Sequence, residues 1–81
     1  MKIPRDLSAD ELIKLLKKKY EYEITRQTGS HIRLTTHLKS EHHITIPRHS
    51  FLKIGTINGI LTDVAVHLEK DKQAVIKELF E

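Results

Sequence analysis

The sequence predicts an α+β fold: a helix, three antiparallel strands, a second helix and a short C-terminal helix. Three observations carry that expectation. Leu12, Ile13, Leu15 and Leu16 recur at helical spacing near the start of the chain. From Tyr20 to Ile46 the apolar period changes to two, interrupted by Thr28-Gly29-Ser30 and by a polar stretch from His37 to Glu41. Ile57, Ile60, Leu61, Val64 and Leu68 then return to a single helical stripe. Helices packed on one face of the sheet leave its other face open to solvent.

Each element has its own signals. Pro4 keeps Ile3 extended, and Ser8-Ala9-Asp10-Glu11 reads as a capping box opening a helix over 9–18. Lys17, Lys18 and Lys19 fall in its last turn, where cations meet the negative end of the helix dipole. Tyr20, Tyr22 and Ile24 alternate with Glu21, Glu23 and Thr25, which predicts a half-buried first strand through Gln27. Gly29 is free to take positive φ in the turn that follows. In the second strand, over 31–35, Ile32 and Leu34 face the core while His31, Arg33 and Thr35 face out. The third strand spans His42 to Ile46, with Ile44 and Ile46 inward, and Pro47 ends its ladder for want of an amide proton. Thr56 is expected to cap the second helix, and Asp71 the last, which carries Val75, Leu79 and Phe80.

Composition bounds what such a chain can do. Its 81 residues suit one domain, 1–81, with a thin core of Ile, Leu and Val, because only Tyr20, Tyr22, Phe51 and Phe80 are aromatic. With no cysteine, disulfides and thiolate metal sites are excluded. No apolar run approaches the roughly 18 residues of a membrane span, and no signal-peptide core opens the chain, so a cytoplasmic protein is expected. Residues 1–40 hold nine Lys/Arg against five Asp/Glu, and residues 41–81 five against six. A basic front half suits a polyanion, although a net charge of +3 is mild. Five of the six histidines fall between positions 31 and 49.

Alternation places His31, Arg33, His43 and Thr45 on the uncovered side of the sheet. Imidazole exchanges protons near neutrality, and guanidinium offers a rigid fork to phosphate oxygens. Together they suit metal-free RNA cleavage: a base takes the ribose 2′-OH proton, an acid protonates the leaving 5′ oxygen, and cations stabilise charge on phosphorus. DNA lacks the 2′-OH, which confines such chemistry to RNA. Plainer readings stand beside this one. From spacing alone, His31 reads sooner as a surface strand residue than as a catalyst, Arg48 as a solvated loop charge, and the lysine run as a helix end. A zinc site from His31, His43 and His49 is a weaker alternative, and no metal or cofactor is expected. A non-catalytic RNA-binding module is the alternative from another functional class.

Three ordered motifs add a family resemblance. Arg26-Gln27-Thr28-Gly29-Ser30-His31, Ile44-Thr45-Ile46-Pro47-Arg48-His49, and Ile54-Gly55-Thr56-Ile57 leading to Ile60-Leu61 resemble the HicA toxins, also called YcfA-like mRNA interferases. Pro4-Arg5 and the Glu11-Leu12-Ile13-Lys14-Leu15-Leu16 helix are similar too, so the likeness spans about residues 3–68. It implies a double-stranded-RNA-binding-domain-like fold and a type II toxin that cleaves mRNA as a metal-independent endoribonuclease. It further implies a cognate HicB antitoxin that covers the active site, with operon repression through the antitoxin, so the toxin alone is not expected to bind DNA. The active histidine of the family's Gly-Ser-His motif corresponds to His31. Gly29 and Ser30 would then position it, and Arg33, Lys39, Arg48 and His49 would contact RNA. One departure is Lys19, which stands where family members usually place a glycine before the aromatic residue that opens the first strand.

Overall fold

Ser8 ends the extended leader and starts the first helix in the computed structural model, which describes residues 3–81. Its hydroxyl accepts from the Glu11 amide at 3.1 Å, while the Glu11 carboxylate accepts from the Ser8 amide at 3.0 Å. This capping box opens α1 (Ala9–Tyr20), whose buried face carries Leu12, Ile13, Leu16 and Tyr20. The helix runs two residues beyond Lys18 because Tyr20 is anchored as an inward-facing helix residue. Its ring is buried and its hydroxyl donates to Glu78 at 2.6 Å. Glu21 then turns the chain with a left-handed backbone (φ 59), and its amide returns to the Lys17 carbonyl at 3.2 Å. Glycine would therefore relieve strain at Glu21, whereas Lys19 lies inside the helix and needs no special conformation.

The sheet follows as β1 (Glu23–Thr28), β2 (His31–Thr36) and β3 (His42–Pro47), antiparallel and in the order β1-β2-β3. Ile32 and Leu34 of the central strand lie beside Ile46 and Ile44 of β3, and all four are buried under the helices. Burying a side chain of this size contributes about 1.5–3 kcal/mol, so this layer is a main source of stability. β1 corrects the expectation of a half-buried strand. Tyr22 is fully buried but precedes the strand, and every residue of β1 is exposed, Ile24 to 49%. β1 is an edge strand, and none of its residues is buried. A β-bulge also breaks its alternation: Ile24 pairs with Leu34, yet the next pair is Arg26 with Arg33, leaving Thr25 as the extra residue.

Thr36, at the end of β2, turns inward and is fully buried. Its hydroxyl donates to the Tyr20 carbonyl at 2.8 Å and accepts from the Leu38 amide at 3.1 Å. One side chain thus ties the end of α1 to the loop between β2 and β3.

A connector after β3 is stitched to the leader, with the Ala9 amide donating to the His49 carbonyl and the Leu52 amide to the Leu7 carbonyl. α2 (Ile54–Leu68) begins earlier than the expected Thr56 cap. Its N-cap is Lys53, which offers no side-chain bond, and Thr56 lies within the first turn, one residue before the Ile57 amide that donates to the Lys53 carbonyl at 3.0 Å. The expected stripe of Ile57, Ile60, Leu61, Val64 and Leu68 is buried, together with Ala65. Asp71 does cap α3 (Lys72–Phe80), accepting from the Gln73 amide at 3.2 Å. Val75, Ile76 and Leu79 complete the core, and Glu78 receives both the Tyr20 hydroxyl and Lys70, the latter at 2.9 Å. Burial of the ring, then its bond to the Glu78 carboxylate, raises the Tyr20 pKa, while the hydrogen bonds from Tyr20 and Lys70 lower that of Glu78.

Candidate active site

The Thr28–His31 hairpin closes through a two-residue turn, and Gly29 takes φ +56, a conformation that costs glycine nothing. This turn delivers His31 to the first position of β2, opposite Thr28 on one side and Pro47 on the other. His31 is exposed on the face away from the helices, and its ring makes no hydrogen bond or ion pair among the described residues. Arg33 and Thr45, paired across the strands, share that face.

The structure brings Gly29, Ser30, His31, Arg48 and His49 to one end of the sheet. The Arg48 amide donates to the Ser30 carbonyl at 2.6 Å, which holds the Pro47-Arg48-His49 segment against the histidine turn. The Arg48 guanidinium leans toward Asp10 at 3.6 Å, and both side chains remain largely exposed. Arg48, His49 and Ser50 also line a shallow pocket with Ser8 and Asp10 at the start of α1. Lys39 does not join this group. It lies in the loop at the opposite end of β2, with a left-handed backbone (φ 69) and its ammonium 3.6 Å from Glu69.

His43 occupies the same open face as His31 but a different place on it. Its partner is Thr35, whereas that of His31 is Pro47, so the two histidines stand four residues apart along β2, about 13 Å. That separation prevents His31 and His43 from sharing one zinc ion, whose ligand bonds are only about 2 Å long. Both ring nitrogens of His43 are already engaged. Nε2–H donates to Glu41 at 3.0 Å, and Nδ1 accepts from the Thr35 hydroxyl, 2.7 Å away, which in turn lies 2.8 Å from the Thr25 hydroxyl. Glu41 thereby selects the tautomer of His43. This network leaves Thr35 only 6% exposed despite its outward register.

His42 points the other way, toward α2. Its ring stacks on His67 with centroids 4.2 Å apart, and its Nδ1 shares a 2.8 Å hydrogen bond with the Tyr22 hydroxyl. His67 Nε2–H donates to the Leu38 carbonyl at 2.9 Å. Burial, then the neighbouring His67, lowers the His42 pKa, although Asp63 at 3.8 Å opposes that shift. Burial and the charge of Asp63 push the Tyr22 pKa up to about 12.

Arg26 was not among the sequence-predicted contacts. Strict alternation from Tyr22 assigns it to the covered side, but the bulge at Thr25 moves it to the open face, directly opposite Arg33. The signal available beforehand was weak: three polar or charged residues, Thr25, Arg26 and Gln27, fill a run in which alternation demands an apolar residue.

Fold and site together define a class: a small α+β domain whose sheet is covered by helices on one side and displays histidine and arginine on the other. The chain belongs to the HicA toxin family, since the family model described as HicA toxin of bacterial toxin-antitoxin matches residues 9–66, more than half of its length. That match runs from the start of α1 nearly to the end of α2 and leaves α3 outside it. No curated protein and no solved structure matches the chain. Family membership makes it the toxin of a toxin–antitoxin system, with an antitoxin as its counterpart. Among the described residues no helix is long and apolar enough to cross a membrane.

Proposed function

We propose that this toxin is a metal-independent endoribonuclease acting on mRNA, with His31 as its general acid or base. The observation that carries the reading is the state of His31. It follows the Gly29-Ser30 turn, is exposed on the open face, has no side-chain partner among the described residues, and has Arg33 two residues along the same strand. A proton-transfer group needs a nitrogen that is not committed elsewhere, which His43 lacks.

In the cleavage step, His31 as base takes the proton of a ribose 2′-OH. The 2′ oxygen attacks phosphorus, the bond to the 5′ oxygen breaks, and a second acid protonates that leaving oxygen. The products are a 2′,3′-cyclic phosphate and a free 5′-OH. Arg33, two residues along the same face, holds the RNA through its phosphate backbone. Arg48 and His49, held beside the turn through the Ser30 carbonyl, border the RNA, while Gly29 and Ser30 fix the approach of His31. Lys39, turned toward Glu69 at the far end of β2, has no part in this site. A HicB-type antitoxin neutralises the toxin by covering the open face, and the toxin itself makes no DNA contact.

The test is His31→Ala with defined RNA in chelator-treated buffer. Fragments from the wild type, and a drop of about 10²–10⁴-fold in the variant with an unchanged circular-dichroism melt, are expected. Undiminished cleavage by the variant would overturn the role of His31. A wild type that retards RNA on a gel without fragmenting it would make the protein an RNA-binding module instead.

A further inference from the structure

The open face carries a feature that folding alone does not explain. Arg26 and Arg33 are direct cross-strand partners on the same side of the sheet. Side chains so placed start about 5 Å apart, and like charges in that position destabilise a sheet. No acidic side chain offsets them. Among the described residues neither arginine is in an ion pair, Glu23 leans toward Lys17 (3.9 Å), and Glu41 is held by His43 (3.0 Å). The surrounding groups on the face are the hydroxyls of Thr25, Thr28 and Thr45 and the imidazole of His31.

The chain spends an irregularity to make this pair. Without the extra residue Thr25, Arg26 would continue the alternation onto the covered side, away from Arg33. The bulge is itself secured, because the Thr25 hydroxyl bonds the Thr35 hydroxyl at 2.8 Å and reaches the Arg33 carbonyl at 3.4 Å. Two guanidinium forks converging without a carboxylate form a site for an oxyanion that accepts several hydrogen bonds at once, which is the chemistry of a phosphodiester.

We propose that Arg26 and Arg33 clamp the phosphate adjacent to the scissile one, on a single RNA strand laid along β2. The proposal rests on the ribonuclease reading for the place of the scissile bond at His31. Arg33 stands two residues from His31, about 6.6 Å along the strand, close to the reach of one nucleotide of extended backbone. The clamp binds backbone rather than bases, which suits a face on which none of the chain's four aromatic residues lies.

Two measurements test it on the full chain. In a His31→Ala background, fluorescence anisotropy follows a labelled uridine hexanucleotide across a salt series, with and without Arg26→Gln and Arg33→Gln together. The double replacement is expected to weaken binding at least tenfold and to flatten the salt dependence by about 0.7 in slope, one single-strand phosphate contact. With His31 intact, the same replacements should cut kcat/KM at least tenfold on the hexanucleotide. They should leave a dinucleotide, which has only the scissile phosphate, within about twofold. An unchanged affinity and slope overturns the clamp. Equal losses on both substrates place the pair at the scissile phosphate and overturn the adjacent site. Poly-glutamate binding as tight as RNA, lost in parallel with it, reduces the pair to a general anion patch and also overturns the proposal. If the wild type cleaves no RNA, the ribonuclease reading falls, while the anisotropy series still decides whether these arginines hold RNA phosphate.

Discussion

Thr36→Val separates the hydrophobic reading of the core from the hydrogen-bonding one. Valine matches threonine in shape, and at a fully buried position a rule based on apolarity alone predicts a neutral or stabilising change. The structure predicts the reverse. The Thr36 hydroxyl is the side-chain partner of two backbone groups, the Tyr20 carbonyl at the end of α1 and the Leu38 amide in the β2–β3 loop. Removing it leaves the buried carbonyl bare, at about 1–3 kcal/mol, and weakens the hold on the partly buried amide by somewhat less. The expected loss is about 2–4 kcal/mol. A domain of 81 residues has a total stability of roughly 4–12 kcal/mol, so the variant approaches the unfolding threshold. Urea denaturation measures this as a lower midpoint at constant m value. Thr36→Ser, which keeps the hydroxyl and loses a methyl group, should cost about 1 kcal/mol. A valine variant as stable as the wild type, or serine and valine variants of equal stability, would refute the reasoning.

Two further predictions concern strain and protonation. Glu21 holds a left-handed backbone at a cost of about 1–2 kcal/mol for a residue with a Cβ, only part of which glycine returns as unfolded-chain entropy. Glu21→Gly should therefore raise stability by about 0.5–1 kcal/mol, or a few degrees of Tm, while Glu21→Ala gives no such gain; equal gains in both would point to charge instead of backbone. His42, whose folded pKa lies below the ordinary 6.5, binds its proton more readily in the unfolded chain. Its contribution is complete above about pH 6.5 and is lost as pH falls toward the lower folded value, so Tm should decline across that window. His42→Gln should flatten the decline there. Glu11 and Glu78, whose lowered values act only below the ordinary 4.5, leave the window undisturbed.

Local signals accounted for most of the elements. The Ser8–Glu11 box, the Gly29 turn, the Pro47 strand end and the Asp71 cap each work within a few residues of chain, and each stands where the sequence placed it. The open-face placement of His31 and Arg33 followed from period-two alternation in β2, a strand buried on one side only. β1 failed that logic because edge position is not encoded in alternation. With none of its residues buried, its pattern carries little burial energy, and the bulge that turns Arg26 outward is decided by pairing with β2. Lys39 was misplaced for a related reason. Nearness in sequence to the basic strands said nothing of which end of the sheet its loop occupies.

The sequence by itself determined the order of elements, the inward stripes of the helices and the outward register of His31, Arg33 and Thr35 in β2. These depend on periodicity and on capping contacts that span a few residues. Only the tertiary structure decided that His31 and the Pro47-Arg48-His49 segment share one end of the sheet, because strand register brings together residues 16 positions apart. It also decided that His43 is tied down by Glu41 and Thr35 while His31 stays unengaged, and that Arg26 meets Arg33. Such facts arise from pairing between strands, where one inserted residue reverses which face a side chain occupies.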